Sequence, residues 1–86
     1  MAKYKITVKK SASKELEEIP GKELRKIVRR IQSLVQNPRP HGSQKLSARQ
    51  RYRVRQGDYR IVYSIDDKDS VIDIVKIGHR REIYRS

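Results

Sequence analysis

The stretch YRVRQGDYRIVYSI, residues 52–65, predicts the β-hairpin around which the rest of the chain is organised. Apolar and polar residues alternate on both sides of Gly57-Asp58, and such a dipeptide between alternating runs is a strong signal of a two-residue hairpin turn. A turn at these two residues sets the pairing of the strands. The predicted opposite pairs are Arg55 with Arg60, Arg53 with Val62, and Arg51 with Ser64.

This pairing gathers the arginines on one face of the hairpin. The apolar side chains point to the other face: Tyr52, Val54, Tyr59, Ile61 and Tyr63. Like charges directly opposite each other destabilise a sheet, by up to ~1 kcal/mol for Arg55 and Arg60. The planar guanidinium fork suits phosphate. We therefore interpret this face as a phosphodiester-binding site; the alternative is an exposed basic face that tolerates the repulsion.

The order of the remaining elements predicts an α+β fold. Residues 3–9 alternate as a strand with one solvated side, a short helix ends at Pro20-Gly21, and residues 37–50 form a long loop after a second helix. Further strands are predicted at about 51–56, 59–66 and 70–77. The fold class is β-α-α-β-β-β, with two N-terminal helices packed on one face of a small, mainly antiparallel four-stranded sheet. We expect a single domain over residues 1–86.

The second helix is strongly amphipathic. Its apolar stripe has the spacing of a core-facing surface and consists of Leu24, Ile27, Val28, Ile31, Leu34 and Val35. The opposite side is basic and carries Lys22, Arg25, Lys26, Arg29 and Arg30. That side is either a solvated face or a track along a phosphate backbone.

Charge and composition narrow the class of protein. Lysine and arginine number 22 against 10 acidic residues, a net charge of +12, which favours a nucleic-acid partner over a membrane surface or a merely soluble basic domain. The chain has no cysteine and no apolar run near the ~20 residues of a membrane span, so we expect a cytoplasmic protein. The acidic DDKD, residues 66–69, lies at a predicted turn, and we expect neither a metal nor a cofactor.

The C-terminal GHRREIYRS, residues 78–86, brings further candidates for chemistry. Gly78 is predicted to release the chain across the sheet after a strand that ends near Ile77. The pKa of His79 would ordinarily lie near neutrality, and Tyr84 can transfer a proton or stack on a base; a surface histidine and a core tyrosine are the alternatives. A cationic cluster without metal ligands suits RNA cleavage, because the substrate's own 2′-hydroxyl can attack the adjacent phosphate.

The chain resembles the RelE family of toxin–antitoxin toxins in three segments that follow the predicted first strand and two helices. These segments are GSQKL at 42–46, YRVRQGDYRIVYSI at 52–65 and KIGHRREIYR at 76–85. The resemblance covers nearly the whole chain and implies a RelE/ParE-type fold. It implies a ribosome-dependent endoribonuclease that cuts mRNA and leaves a 2′,3′-cyclic phosphate and a 5′-hydroxyl. It also implies a cognate RelB-like antitoxin that wraps the toxin and blocks the site.

The same resemblance assigns roles to residues. Arg53 and Arg55 match two basic positions before the hairpin turn, which are lysines in the best-known member, and Arg60 matches a phosphate-binding arginine. Arg80 would stabilise the charged phosphorane or help to protonate the leaving oxygen, and Tyr84 would be the base. Arginine stays protonated, so arginine in place of lysine at these positions gives up a proton that could be exchanged. If a lysine transfers a proton elsewhere in the family, His79 is the residue expected to do so here. Further RNA contacts are expected from Arg51, Lys45 and Arg81.

Two other functions stay open from the sequence. A ParE-type toxin of the same fold would inhibit DNA gyrase without nuclease chemistry, although the arginine cluster joined to HRREIY argues against it. A basic module without activity would bind free RNA with a strong dependence on salt and leave translation intact.

Overall fold

A computed structural model of the protein describes residues 3–46 and 50–79. The elements in chain order are β1 (Lys5–Val8), α1 (Lys10–Glu17), α2 (Gly21–Ser33), β2 (Gln44–Lys45), β3 (Arg51–Gln56), β4 (Tyr59–Asp66) and β5 (Val71–His79). Two helices pack against one face of a sheet, so the predicted α+β class is confirmed. No helix in the described ranges is long and apolar enough to cross a membrane.

The sheet has five strands in the order β1-β5-β4-β3-β2. β1 runs parallel to β5, and the other neighbouring strands are antiparallel. The predicted number of four strands is wrong, because Gln44 and Lys45, which were assigned to the loop, pair with Arg53 and Tyr52. A strand of two residues carries no alternation that a sequence pattern could reveal.

The hairpin of β3 and β4 has the predicted register. Gln56 and Tyr59 close it around Gly57 and Asp58. Of the two turn residues only Gly57 has a positive φ, 60°, which is the pattern of a type II′ turn and matches the twist of the flanking strands. The observed pairs are Arg51 with Ser64, Arg53 with Val62, and Arg55 with Arg60.

The core lies between the helices and the apolar face of the sheet. The helical half of the chain contributes Ala12, Ile19, Ile27, Ile31 and Leu34. The strands contribute Tyr52, Val54, Ile61, Tyr63, Ile65, Ile72, Ile74 and Ile77. Each large apolar side chain that is fully buried stabilises the fold by roughly 1.5–3 kcal/mol. Val28 departs from the predicted apolar stripe, since it is 37% exposed on the flank of α2.

A β-bulge in β5 keeps its apolar residues on the core face. The pairing with β4 shifts between Val62, which lies opposite Lys76, and Tyr63, which lies opposite Ile74. One residue of β5 is therefore extra, and successive side chains beyond it exchange faces. Ile74 and Ile77 both reach the core for this reason, although their spacing breaks the period of two.

β5 is longer than predicted at its C-terminal end. It continues through His79, so the expectation that Gly78 releases the chain after Ile77 is wrong. The first two residues of β4 already pair with β5. Tyr59 lies opposite His79, and Arg60 lies directly opposite Gly78, which has no side chain.

Candidate functional site

The arginine face of the hairpin lies on the side of the sheet away from the helices. Arg51, Arg53 and Arg55 alternate along β3 with Tyr52 and Val54, both of which are buried in the core. Neighbouring side chains of a strand point to opposite faces, so the three arginines share the outer face. The sequence predicted this arrangement from the turn alone, and the register confirms it.

Arg60 differs from the other arginines because its side chain is buried. It lies on β4, between Arg55 on β3 and Gly78 on β5, and is only 2% exposed. Arg51 and Arg55 are exposed, and Arg53 is half-buried. A guanidinium group at this depth cannot adjust its position as a surface arginine does. Alternation does not predict this burial, because it shows only which face a side chain occupies.

A groove on this face, which we call the arginine groove, has a volume of about 330 Å³. It is lined by Gly42, Gln44, Arg53, Arg55 and Arg60. Three of the five residues are cationic and none is acidic, so the groove favours an anion. Its volume falls within the roughly 300–1,000 Å³ of small-molecule sites, enough for a phosphodiester with its adjoining sugar.

Gln44 is a component of the groove that sequence reasoning missed. Its Oε1 accepts a hydrogen bond from Nη2 of Arg53, which lies opposite it across β2 and β3. The bond orients the guanidinium group of Arg53 along the groove. The only sign of Gln44 in the sequence was its position within GSQKL. Its contact with Arg53 could not be predicted without knowing that β2 pairs with β3.

The loop that leads to Gln44 is anchored by Arg39. Its Nη2 donates to Oδ2 of Asp67 at 2.8 Å, its Nε donates to the hydroxyl of Tyr52 at 3.0 Å, and its guanidinium carbon lies 5.1 Å from the centre of the Tyr52 ring. The hydroxyl of Tyr4 also donates to Asp67, at 2.8 Å. The hydrogen bonds from Arg39 and then Tyr4 lower the pKa of Asp67 below its usual value.

Tyr63 provides a second anchor for the same loop. Its hydroxyl donates a hydrogen bond of 2.8 Å to the carbonyl of Pro38, and its ring stacks on Tyr52 at 5.9 Å between centroids. Burial raises the pKa of Tyr63 to about 12, so the hydroxyl remains a donor at neutral pH. Together with Arg39, Tyr63 fixes the loop that supplies Gly42 and Gln44 to the arginine groove.

His79 lies on the other side of the sheet from the arginine groove. It pairs with Tyr59 at the end of β5, and the two rings meet edge to face with centroids 5.4 Å apart. Both line a cavity of about 260 Å³ between α1 and β5, together with Glu15 and Glu18. The structure therefore does not bring His79 together with the arginines of the groove.

The remaining predicted site residues either do not line the arginine groove or lie outside the described residues. Arg51 is exposed on the arginine face but does not line the groove. Lys45 is exposed and pairs with Tyr52, so its side chain points to the face opposite that of Arg53. Three predicted site residues, Arg80, Arg81 and Tyr84, lie outside the described residues.

Comparison with known proteins gives a consistent family. Residues 6–84 match the family model described as ParE toxin of the type II toxin–antitoxin system parDE. The RelE1 protein of Methanocaldococcus jannaschii is 30% identical over 93 residues, which cover 98% of this chain and 98% of that protein. Toxin RelE of Mycobacterium tuberculosis is 30% identical over 84 residues, covering 95% of this chain and 87% of that protein.

Solved structures show the same similarity at the level of the fold. A chain in the crystal structure of the archaeal RelE–RelB complex from Pyrococcus horikoshii superposes with a TM-score of 0.82 and 32% sequence identity. The match covers 93% of this chain and 97% of that one. The RelE structural relatives thus have both helices and the sheet in common with this chain.

Proposed function

The chain belongs to the ParE/RelE family of toxins from type II toxin–antitoxin systems, and we propose that it is a ribosome-dependent endoribonuclease that cuts mRNA. The observation that carries the proposal is the arginine groove, which places Arg53, Arg55 and Arg60 around one anion-sized space. The two relatives named RelE1 and RelE, which match this chain over most of their length, support the same assignment. Cleavage of mRNA requires a cytoplasmic location.

The groove suits the transition state of phosphodiester cleavage. When the 2′-oxygen attacks phosphorus, negative charge accumulates on the non-bridging oxygens, and fixed cations stabilise that charge more than they stabilise the ground state. Arg60 is held rigidly by burial, and Arg53 is oriented by Gln44. Arg55 is exposed at the mouth of the groove and is free to close on the substrate.

The reaction needs two proton transfers that the groove arginines do not perform. The 2′-hydroxyl loses its proton as the bond from its oxygen to phosphorus forms, and the 5′-oxygen gains a proton as its bond to phosphorus breaks. Arginine stays protonated in proteins. Following the resemblance to RelE toxins, we assign the first transfer to Tyr84 as base. The 5′-oxygen takes its proton from a water molecule, and Arg80 stabilises the negative charge on that oxygen until the proton arrives. His79 has no part in this scheme because it lies on the other face of the sheet.

A RelB-type antitoxin is the proposed protein partner. The relative from Pyrococcus horikoshii was solved as a RelE–RelB complex. In this chain, a segment of such an antitoxin would neutralise the toxin if it covered the arginine groove with acidic side chains. Binding of this kind would compete directly with the phosphodiester.

A ParE-type gyrase inhibitor is the second candidate function, because the matching family model is that of ParE toxins. The two functions predict different products. A nuclease leaves cuts within codons of translated mRNA, whereas a gyrase inhibitor leaves mRNA intact and blocks DNA supercoiling.

The test uses the purified chain with ribosomes halted on a defined mRNA, with primer extension to map cuts and a supercoiling assay run in parallel. We expect cuts that require the ribosome, and we expect the double variant Arg53→Ala/Arg55→Ala to lose them. The matched control, Lys10→Ala/Lys14→Ala, removes the same charge from the exposed side of α1 and should cut normally. Intact mRNA with blocked supercoiling would establish the ParE-type function instead, and intact mRNA with salt-dependent RNA binding alone would indicate a module without activity.

A further inference from the structure

A second cationic surface lies on α2, on the helical side of the molecule. It consists of Lys22, Arg25, Lys26, Arg29 and Arg30, and we call it the α2 basic face. We propose that the α2 basic face binds the phosphate backbone of double-helical RNA, as a site separate from the one that holds the scissile phosphate. The choice of RNA over DNA rests on the proposed function, whereas the site itself does not require cleavage.

Four of the five residues of the α2 basic face point away from the body of the protein, whereas Arg30 is half-buried on the flank of the helix and its Nε is buried. Ile27 and Ile31 of α2 are buried against the sheet, so residues half a turn away face outward. Lys22, Arg25 and Arg29 are exposed on that side, as is Lys26. From residue 22 to residue 29 the helix rises about 10 Å, at about 1.5 Å per residue, so the cations form a continuous row.

No ion pair involves this row within the part of the chain that the structure describes. The ion pairs found there join Lys9 to Asp73 and Arg39 to Asp67, and neither involves α2. Lys22 and Lys26 lie four residues apart, as do Arg25 with Arg29 and Lys26 with Arg30. Like charges at this spacing destabilise a helix by about 0.2–0.5 kcal/mol per pair. A bound polyanion would replace this repulsion with attraction.

The lining of the face indicates a nucleic acid and not a protein. One depression, of about 440 Å³, is lined by Lys22, Arg25, Lys26 and Arg29. An adjoining depression, of about 290 Å³, is lined by Lys26, Arg29, Arg30, Ser33 and Gln56. Neither lining includes an apolar residue, whereas protein partners are anchored by aromatic and aliphatic side chains and their interfaces are poor in lysine.

The same lining favours a duplex over a single strand. Proteins that bind single strands stack bases on aromatic side chains, and the α2 basic face has none. Double-helical RNA is recognised mainly through its phosphates and 2′-hydroxyl groups. Ser33 and Gln56 supply neutral polar groups beside the cations that can hydrogen-bond to 2′-hydroxyl groups.

The two cationic sites lie on opposite sides of the molecule. The helices cover one face of the sheet and the arginine groove opens on the other, in a body of 33 × 27 × 25 Å. The two sites approach each other only at the end of the hairpin, where Arg55 lines the groove and Gln56 lines the depression beside α2. The arrangement suits a protein that sits between a structured RNA on its helical side and a single strand on its sheet side.

The test measures binding of the purified full chain to a 16-base-pair RNA duplex over a range of salt concentrations. We expect the triple variant Lys22→Gln/Lys26→Gln/Arg29→Gln to bind about tenfold or more weakly near 0.1 M salt, because each phosphate contact contributes about 0.9 to the slope of log K against log salt. The slope should become shallower by about 2 to 3. A DNA duplex of the same sequence should bind several-fold more weakly than the RNA duplex.

Matched variants separate this site from net charge and from the groove. The first control removes the same charge from other exposed positions and should bind duplex RNA normally; it is Lys10→Gln/Lys14→Gln/Lys68→Gln. The second control is the groove variant Arg53→Ala/Arg55→Ala, which should lose cleavage but bind duplex RNA normally. Equal losses in the two triple variants, or no loss in the α2 variant, would overturn the proposal. So would duplex DNA binding as tightly as RNA, or an α2 variant that loses only its affinity for an acidic protein partner. Arg29→Gln alone, with a slope lower by about one, serves if the triple variant unfolds.

Discussion

Arg55 and Arg60 lie directly opposite each other on β3 and β4, yet one is exposed and the other is only 2% exposed. Alternation places both on the same face, and the difference in burial gives them different roles. Arg60 is fixed in the floor of the arginine groove, whereas Arg55 stands at its edge. In the proposed mechanism, Arg60 is therefore the preorganised cation and Arg55 is the cation that adapts to the substrate.

Replacing Arg55 with alanine should reduce cleavage without loss of stability. Removal of one donor to the developing charge costs about 10²–10³ in rate in comparable sites. The free energy of unfolding should stay the same or rise by up to ~1 kcal/mol, because the like-charge pair with Arg60 is removed. Single-turnover cleavage on programmed ribosomes and urea unfolding measure the two effects. The matched control is Lys68→Ala in the turn after β4; an Arg55→Ala variant that cuts at the normal rate would remove Arg55 from the site.

Gln44 should act on the rate of cleavage through Arg53. The variant Gln44→Ala releases the Arg53 guanidinium group and should lower cleavage by about tenfold, the effect of about 1.4 kcal/mol. Gln44→Glu should lower it further, because a carboxylate would pair with Arg53 and reduce the positive charge of the groove. Gln36→Glu, which adds the same charge at an exposed position after α2, is the control. A Gln44→Glu variant as active as the parent would show that Arg53 does not depend on Gln44.

Asp67 should stabilise the fold at neutral pH and lose this effect in acid. Its pKa is lowered in the folded protein by the hydrogen bonds from Arg39 and Tyr4. A group with a lowered folded pKa contributes stability above its unfolded pKa, about 3.9 for Asp, and loses that contribution as pH falls through the folded pKa. Asp67→Asn should therefore melt at a lower temperature than the parent at pH 7, and the difference should shrink below about pH 4.

Thermal unfolding of both proteins between pH 7 and pH 2 checks this dependence on Asp67. Asp69→Asn is a suitable control, because Asp69 lies in the same turn without an ion pair among the described residues. If the difference between parent and Asp67→Asn were the same at both ends of the range, the contact with Arg39 would not be the cause.

Tyr63 should titrate late and hold the loop through its hydroxyl. Burial raises its pKa to about 12, so its absorbance change should come well above pH 10, the ordinary pKa of a tyrosine side chain, and this late step should be missing in Tyr63→Phe. A raised folded pKa means that the stabilising effect is complete below pH 10 and is lost as pH rises through about 12. Tyr63→Phe should also lose about 0.5–1.5 kcal/mol at neutral pH, because the Pro38 carbonyl loses its donor. An unchanged titration would contradict the assignment.

The hairpin could be predicted from the sequence because its information is local. Gly57-Asp58 between alternating runs set the register, and the register alone placed Arg53, Arg55 and Arg60 on one face. The regular stripe through Ile27 and Ile31 likewise identified the buried side of α2.

The features that were missed depend on long-range packing. β2 follows a loop that Arg39 and Tyr63 anchor by hydrogen bonds to distant residues, and a two-residue strand has no pattern of its own. His79 lies on its side of the sheet because of a bulge between Ile74 and Lys76. Strict alternation along β5 does not predict this bulge, so it assigns residues beyond it to the wrong face. The burial of Arg60 depends on packing from outside its own strand, which alternation along β4 does not show.

The central claim is that the arginine groove holds a scissile phosphate while the substrate's own 2′-hydroxyl attacks it. The most direct measurement uses an mRNA with a single 2′-deoxy nucleotide on the 5′ side of the mapped cleavage site, bound to the ribosome with the parent chain. The account predicts that cleavage at that position is lost while the RNA remains bound, and that the unmodified mRNA yields a 2′,3′-cyclic phosphate and a 5′-hydroxyl. Cleavage of the deoxy substrate at the parent rate would contradict it.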